Sequence, residues 1–314
     1  MGLDLIRYTK VIKKNPYIKV LFSFGAIFNY LSGIMRVFDK INELKEYLAI
    51  QKEKGLNVGF VPTMGALHQG HISLIDISRK ETDITVCSIF VNPTQFNNKA
   101  DLTHYPRTPE TDIALLQKAG CDALYMPDVK DVYPENDKRT FTFGYLDTIL
   151  EAAHRPGHFN GVGQVVSILL EGIKPDKAYF GSKDYQQVMV VKSLVKQLNL
   201  AVEIIACPIL REPDGLAMSS RNTRLNAQER LVAAFVPKMM QEAINLVKST
   251  GIDAAKDYIT NYVKEQPLMK LDYYEVCDAE TLEPLTSFDA SQKAISLIAV
   301  FVGNVRLIDN WPVN

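Results

Sequence analysis

Between residues 58 and 207 the chain alternates short, uninterrupted apolar runs with stretches of helical periodicity. Runs at 58–62, 84–91, 123–126, 177–180 and 202–207 read as strands. They lack polar alternation, as strands covered on both faces do. Helical spacing is expected over 39–52, from His71 onward, and over 111–118, 162–173 and 184–198. Repeated βαβα of this kind requires an α/β fold, a parallel sheet with helices on both faces. Ligands of such sheets sit beyond the carboxyl ends of the strands. Polar segments 63–71, 92–96, 181–184 and 210–222 fall at those ends.

After Asn226 the pattern changes. One long helical region is expected over 227–264, followed by β-type runs at 271–277, 294–302 and 305–308. No helix separates the last two, so a smaller α+β C-terminal domain with an antiparallel sheet is expected. The division reads as 35–208 for nucleotide and substrate binding and 209–314 for a lid, with an atypical extension at 1–34. In the extension, Lys10, Lys13, Lys14 and Lys19 precede an apolar stretch that is short and interrupted, with no cleavage pattern. Met35 reads as a second start. The extension is expected to be a dispensable leader, with a weakly membrane-associating helix as the alternative.

Composition narrows the function. The formal net charge of −1 gives no basic footprint for nucleic acid. Cys87, Cys121, Cys207 and Cys277 form no C-x-x-C pair and read as buried, reduced thiols in a cytoplasmic protein. No G-x-x-x-x-G-K-[ST] loop and no H-E-x-x-H occur, which disfavours P-loop transfer and zinc hydrolysis.

The chemistry concentrates in two segments. In the first, Met64-Gly65-Ala66-Leu67-His68-Gln69-Gly70-His71, a strand turns through glycines into a helix. A helix N-terminus favours an anion, and two imidazoles three apart add donors for charge developing on a phosphate. The second is Met218-Ser219-Ser220-Arg221-Asn222, a hydroxyl-rich cationic loop preceded by Leu210 and Arg211, able to close over phosphates. Between them, Gly181-Ser182-Lys183-Asp184 follows a strand and opens a helix; Lys183 suits phosphate and Asp184 suits a helix N-terminus or a ribose. Arg155-Pro156-Gly157-His158-Phe159 reads as a loop with two potential cations, near a phosphate site or merely solvated. Asn92, Gln95 and Gln187 are neutral amides that, read alone, are surface residues.

Taken in order, residues 61–71, Ser88 to Phe96, Tyr105-Pro106-Arg107-Thr108, Arg155 to Phe159, Gly181 to Gln187 and Arg211 to Asn222 resemble the pantoate–β-alanine ligases. The likeness runs from Met35 to the C-terminus. Ser182 departs from it, where the family commonly has glutamate. The resemblance implies a Rossmann-like fold of the HIGH-type nucleotidyltransferase superfamily. It implies attack of pantoate on the α-phosphate of ATP with Mg²⁺, giving pantoyl adenylate and pyrophosphate, then displacement of AMP by β-alanine. Carried over, Met64, Gly65, Ala66, Leu67, His68, Gln69, Gly70, His71, Gly181, Ser182, Lys183, Asp184, Leu210, Met218, Ser219, Ser220 and Arg221 bind ATP. Of these His71, His68, Lys183, Ser219, Ser220 and Arg221 are catalytic, with His71 as proton donor. Gln95, Gln187, Asn92, Arg155 and His158 bind pantoate and β-alanine. Mg²⁺ has no assigned ligand beyond phosphate; Asp101 and Asp184 are possible partners. A homodimer is implied, with no nucleic acid and no stable membrane insertion. The rivals are a class I aminoacyl-tRNA synthetase, a nucleotidyltransferase that stops after one transfer, and a non-catalytic nucleotide-binding regulator.

Overall fold

The computed structural model describes residues 35–96, 102–133 and 138–314. The expectations for residues 1–34 and Asp101 lie outside these residues. Six strands, β1 (Arg36–Phe38), β2 (Val58–Thr63), β3 (Ile84–Ile89), β4 (Ala123–Tyr125), β5 (Lys177–Gly181) and β6 (Glu203–Cys207), form one parallel sheet. Their order is β1-β4-β3-β2-β5-β6. The β2, β3, β4 succession grows to one side of β2, whereas β5 and β6 lie on the other. The chain therefore reverses direction between β2 and β5, leaving a crevice beyond their carboxyl ends. These two strands carry the Met64–His71 and Gly181–Asp184 segments.

Helices α1 (Ile41–Glu53), α2 (Gln69–Glu81), α3 (Pro109–Lys118), α4 (Leu150–His154), α5 (His158–Ile173) and α6 (Tyr185–Gln197) cover the sheet. One face buries Phe60, Val86, Leu169 and Leu170 among others; the opposite face buries Val61, Leu74, Cys87 and Leu116. Helix α5 is apolar because it is buried along most of its length. It begins at His158 rather than in a loop, so His158 and Phe159 form its first turn, behind Gly157 in the left-handed region. The four cysteines are free and buried.

The expected long helix over 227–264 is three helices: α7 (Ala227–Ala233), α8 (Val236–Ser249) and α9 (Ile252–Glu265). Pro237 sits in the first turn of α8, where its missing N–H costs nothing. Gly251, at φ +124°, breaks the chain before α9. Strands β7 (Met269–Asp278), β8 (Ala294–Val302) and β9 (Val305–Pro312) form an antiparallel sheet with a separate core that includes Met239, Met240, Ile259 and Ile298. Strand β9 is longer than expected, and its Asn310 reaches the Ser182 and Lys183 carbonyls just after β5. Among the described residues no helix is long and apolar enough to cross a membrane.

Candidate active site

At the end of β2 the backbone turns through Gly65 and Ala66, both with positive φ (79° and 49°). The buried Asp112 carboxylate, on α3, holds that turn. It accepts the N–H of Ala66 at 2.9 Å and of Leu67 at 2.8 Å, and the Thr108 hydroxyl at 3.0 Å. His68 then caps α2: its Nδ1 accepts the Gly70 N–H at 3.1 Å, while His71 Nδ1 accepts the His68 N–H at 3.3 Å. The rings lie 4.1 Å apart, centroid to centroid. Gly70 is small for the sake of its neighbour, since a Cβ there would stand 2.8 Å from the His68 ring.

Both imidazoles are neutral near pH 7. Burial, then the Lys183 ammonium, pushes His68 down to about 4. Burial, then His68 and Lys183, pushes His71 down to about 3. Because each Nδ1 accepts a backbone N–H, the single ring proton resides on Nε2. Both rings therefore offer Nε2–H as a hydrogen-bond donor. His158 is the opposite tautomer: its Nδ1–H donates to the Gln95 carbonyl at 2.9 Å, leaving Nε2 an acceptor. Burial pushes His158 down to about 4, so it is not the cation expected from its sequence context.

Unfolded histidine titrates near 6.5, and the folded His158 only near 4. Between those values the unfolded chain binds a proton that the folded chain does not, so stability falls as pH drops from 6.5 toward 4. The slope for this buried ring is up to about 1.4 kcal/mol per pH unit. Urea midpoints at pH 7 and 5 should differ less in His158→Gln than in the parent chain; equal differences would rule out this source.

Lys183 lies in the 3-10 turn Ser182–Asp184, and its ammonium lowers both histidines. Asn310 of β9 fixes this turn, donating from Nδ2 to the Ser182 and Lys183 carbonyls at 2.8 and 2.9 Å. The exposed Asp184 makes no side-chain cap to α6. The second segment docks directly on the first. Ser220 Oγ donates to the Ala66 carbonyl at 3.0 Å, and Met218 Cβ would be 3.5 Å from a Cβ at Gly70. Ser219 Oγ accepts the Arg221 N–H. Arg211 is committed elsewhere: it grips Asp309 at 2.7 and 3.1 Å and stacks on Trp311, tying the loop base to β9. Leu210 is exposed, and its carbonyl accepts the Met218 N–H.

Gln95 is buried in a 3-10 turn behind β3, where its Nε2 contacts Met64 Sδ and its Oε1 accepts from Asn92 Nδ2 at 3.1 Å. Asn92 has no capacity left for a ligand. It also donates to the Gly161 carbonyl, and its Oδ1 accepts from Tyr133 and Thr94. It orients Gln95 rather than reaching into the crevice. Gly161 permits this packing, because a Cβ there would overlap the Thr94 carbonyl. Gln187, Arg155, His158, Lys183 and Asp184 line one cleft. Asp112 and Asn310 are not evident as site residues in the sequence; the Thr108 hydroxyl beside Asp112 is the available signal for the first.

Neutral imidazole donors beside an ammonium, at the point where a parallel sheet reverses its winding, equip a fold of the HIGH-type nucleotidyltransferase class. Within that class the chain belongs to the pantoate-beta-alanine ligase family, whose model matches residues 36–312. It is accordingly an enzyme, a ligase. The pantothenate synthetase of Porphyromonas gingivalis is 47% identical over 276 residues, covering 88% of this chain and 98% of that protein. That of Cytophaga hutchinsonii is 49% identical over 272 residues, covering 86% and 96%. The crystal structure of pantothenate synthetase from Thermus thermophilus superposes with a TM-score of 0.83 at 39% identity, covering 89% of this chain and 99% of that one. A pantoate-beta-alanine ligase from Francisella tularensis, solved with beta-gamma ATP and beta-alanine, gives a TM-score of 0.71 at 35% identity, covering 89% and 98%.

Proposed function

We propose that the protein joins pantoate to β-alanine in two transfers at one site. A pantoate carboxylate oxygen bonds to the α-phosphorus of ATP as the bond to the bridging oxygen breaks, and pyrophosphate leaves. The β-alanine nitrogen then bonds to the acyl carbon of pantoyl adenylate, the acyl–oxygen bond breaks, AMP leaves and the amine proton passes to solvent. The observation that carries this reading is the meeting of His68, His71 and Lys183 with the 218–221 loop at the β2–β5 crevice.

Each group has a task in it. The Nε2–H of His71 and of His68 follows negative charge onto the leaving phosphates, and the Lys183 ammonium neutralises it. His71 acts as a hydrogen-bond donor rather than an imidazolium acid, in keeping with its depressed pKa. Gln95, buried and aimed by Asn92, reads the hydroxyl and carboxylate groups of pantoate, together with Gln187 and Arg155 of the cleft. Ser219 and Arg221 close on the phosphates, while Ser220 locks their loop to the first segment. The second, C-terminal domain then keeps water from an adenylate that hydrolyses readily. The residues fit Mg²⁺ bound mainly through phosphate oxygens: Asp184 is a lone exposed carboxylate beside Lys183, and among the described residues no three His, Cys, Asp or Glu could hold a metal. When bound, Mg²⁺ neutralises phosphate charge. We further place the enzyme in the cytoplasm as a homodimer, the first in line with its buried free thiols.

The test is product analysis. ATP with pantoate alone should release pyrophosphate, and pantothenate and AMP should appear only once β-alanine is added. Release that ignores pantoate, or stops at a stable nucleotidyl product with both substrates present, would refute the reading. Gln95→Ala should weaken pantoate binding about fivefold, since one neutral hydrogen bond is worth about 1 kcal/mol. An unchanged pantoate titration would remove Gln95 from the acid site.

A further inference from the structure

An ion network centred on the buried Glu151 joins α4 to the antiparallel sheet next to the cleft. Glu151 accepts from Arg306 Nη1 and Nη2 at 2.9 and 2.8 Å and from the Tyr273 hydroxyl at 3.0 Å. Arg306, on β9, also donates from Nε to Asp272 at 2.9 Å, and Asp272 meets His154 at 2.8 Å. Burial alone would raise the Glu151 carboxyl, but Arg306 outweighs it and holds it at about 2. Glu151 is held equally firmly through the backbone. Its N–H donates to the Gln186 side chain at 2.9 Å, and Gln186 also donates to the Leu146 and Ile149 carbonyls. Leu150, just before it, is in the left-handed region at φ +46°, a conformation costly for a branched residue and retained where the surroundings enforce it.

All this anchoring ends on one side chain. The Glu151 oxygen that accepts from Arg306 Nη1 also meets Arg155 Nη1, at 3.5 Å. That contact engages one of the five donors of the Arg155 guanidinium, and Arg155 lines the cleft with Lys183 and Asp184. Arg155 and Arg221 are within electrostatic reach and repel each other. Arg306 repels Arg155 as well and Asp184 attracts it only weakly, so Glu151 is the main attraction that holds Arg155 against both guanidinium groups.

We propose that Arg306 is a positioning residue for the ligation, fixing the Arg155 guanidinium in the substrate cleft through Glu151. The inference rests on the proposed reading of Arg155 as a substrate contact, and assigns the antiparallel sheet a part in substrate affinity. The guanidinium plane is essential to it, because only a fork bridges Glu151 and Asp272 together. Lysine at 306 keeps the charge and loses the bridge.

The test is steady-state kinetics for all three substrates in Arg155→Ala, Arg306→Lys, Glu151→Gln and the double variant R155A/R306K, each checked for folding by thermal melting. Arg155→Ala should raise the KM of one anionic substrate. Arg306→Lys and Glu151→Gln should raise the KM of that same substrate about tenfold, the size of one loosened charge-assisted contact. In the R155A background, Arg306→Lys should add less than about twofold, because the group it acts through is gone. A full additional effect in the double variant would make Arg306 merely structural and overturn the proposal, as would an unchanged KM in Arg306→Lys. A silent Arg155→Ala would overturn both the assignment of Arg155 and the inference built on it. The ligation reading itself stands or falls separately, on the parent enzyme's products. Should Arg306→Lys fail to fold, Glu151→Gln, which keeps the shape and loses the charge, decides by the same criterion.

Discussion

Replacing His71 with alanine should slow pyrophosphate release from ATP and pantoate by about 10²–10³-fold, and Lys183→Ala should do the same. Each removes a donor whose supporting turn is already fixed before substrate arrives. His71 Nδ1 is held by the His68 N–H, so the ring proton already sits on Nε2. The Lys183 turn is held by Asn310. In the proposed reading the two groups serve the same developing charge, and the lowering of both imidazoles by the ammonium places them within electrostatic reach of one another. Their losses should therefore combine to less than the product of the single effects. Single-turnover pyrophosphate measurements on both variants and the double variant give all three numbers. Near-parent release by either single variant would remove that residue from the phosphate chemistry. A fully multiplicative double variant would show that the two act on different steps.

Asp112→Ala should produce the largest loss of stability, about 3 kcal/mol, together with at least about a tenfold loss of activity. The carboxylate is 1% exposed and satisfies two backbone N–H groups in a turn with positive φ at Gly65 and Ala66. Removing it strands both donors, at about 1–3 kcal/mol each. Activity should follow because His68 begins where the turn ends. Asp112→Asn keeps one acceptor and turns an NH₂ toward the other site, so it should fall between. Urea denaturation together with pyrophosphate release tests both halves. An Asp112→Ala chain as stable as the parent would mean that the turn holds itself.

What is local is legible in the sequence, and what is distant is not. Strands β2, β3 and β5 stand out because each is an unbroken apolar run. Strand β1 does not, because three residues paired only to β4 carry no periodicity. The region after Asn226 reads as one helix by its spacing, although Pro237 and Gly251 both mark a break. The imidazole pair and the Ser-Ser-Arg loop are visible because their spacing is itself the signal, whereas Lys183 by spacing reads equally well as part of an ordinary capped turn and stands out only through the family resemblance. None of their supports is visible. Asp112 reaches Ala66, Asn310 reaches Lys183 and Arg306 reaches Glu151 only through the tertiary fold. Arg211 reads as a phosphate-facing cation for the same reason: its true partner, Asp309, lies on the last strand.

The grip of Asn310 on the Ser182–Lys183 carbonyls has a bearing on biogenesis. All six parallel strands can emerge from a ribosome and pair while β9 is still untranslated. Until that late residue arrives, the lysine-bearing turn lacks its staple. That turn would then be completed only after β9 has been made, once the larger sheet has already consolidated.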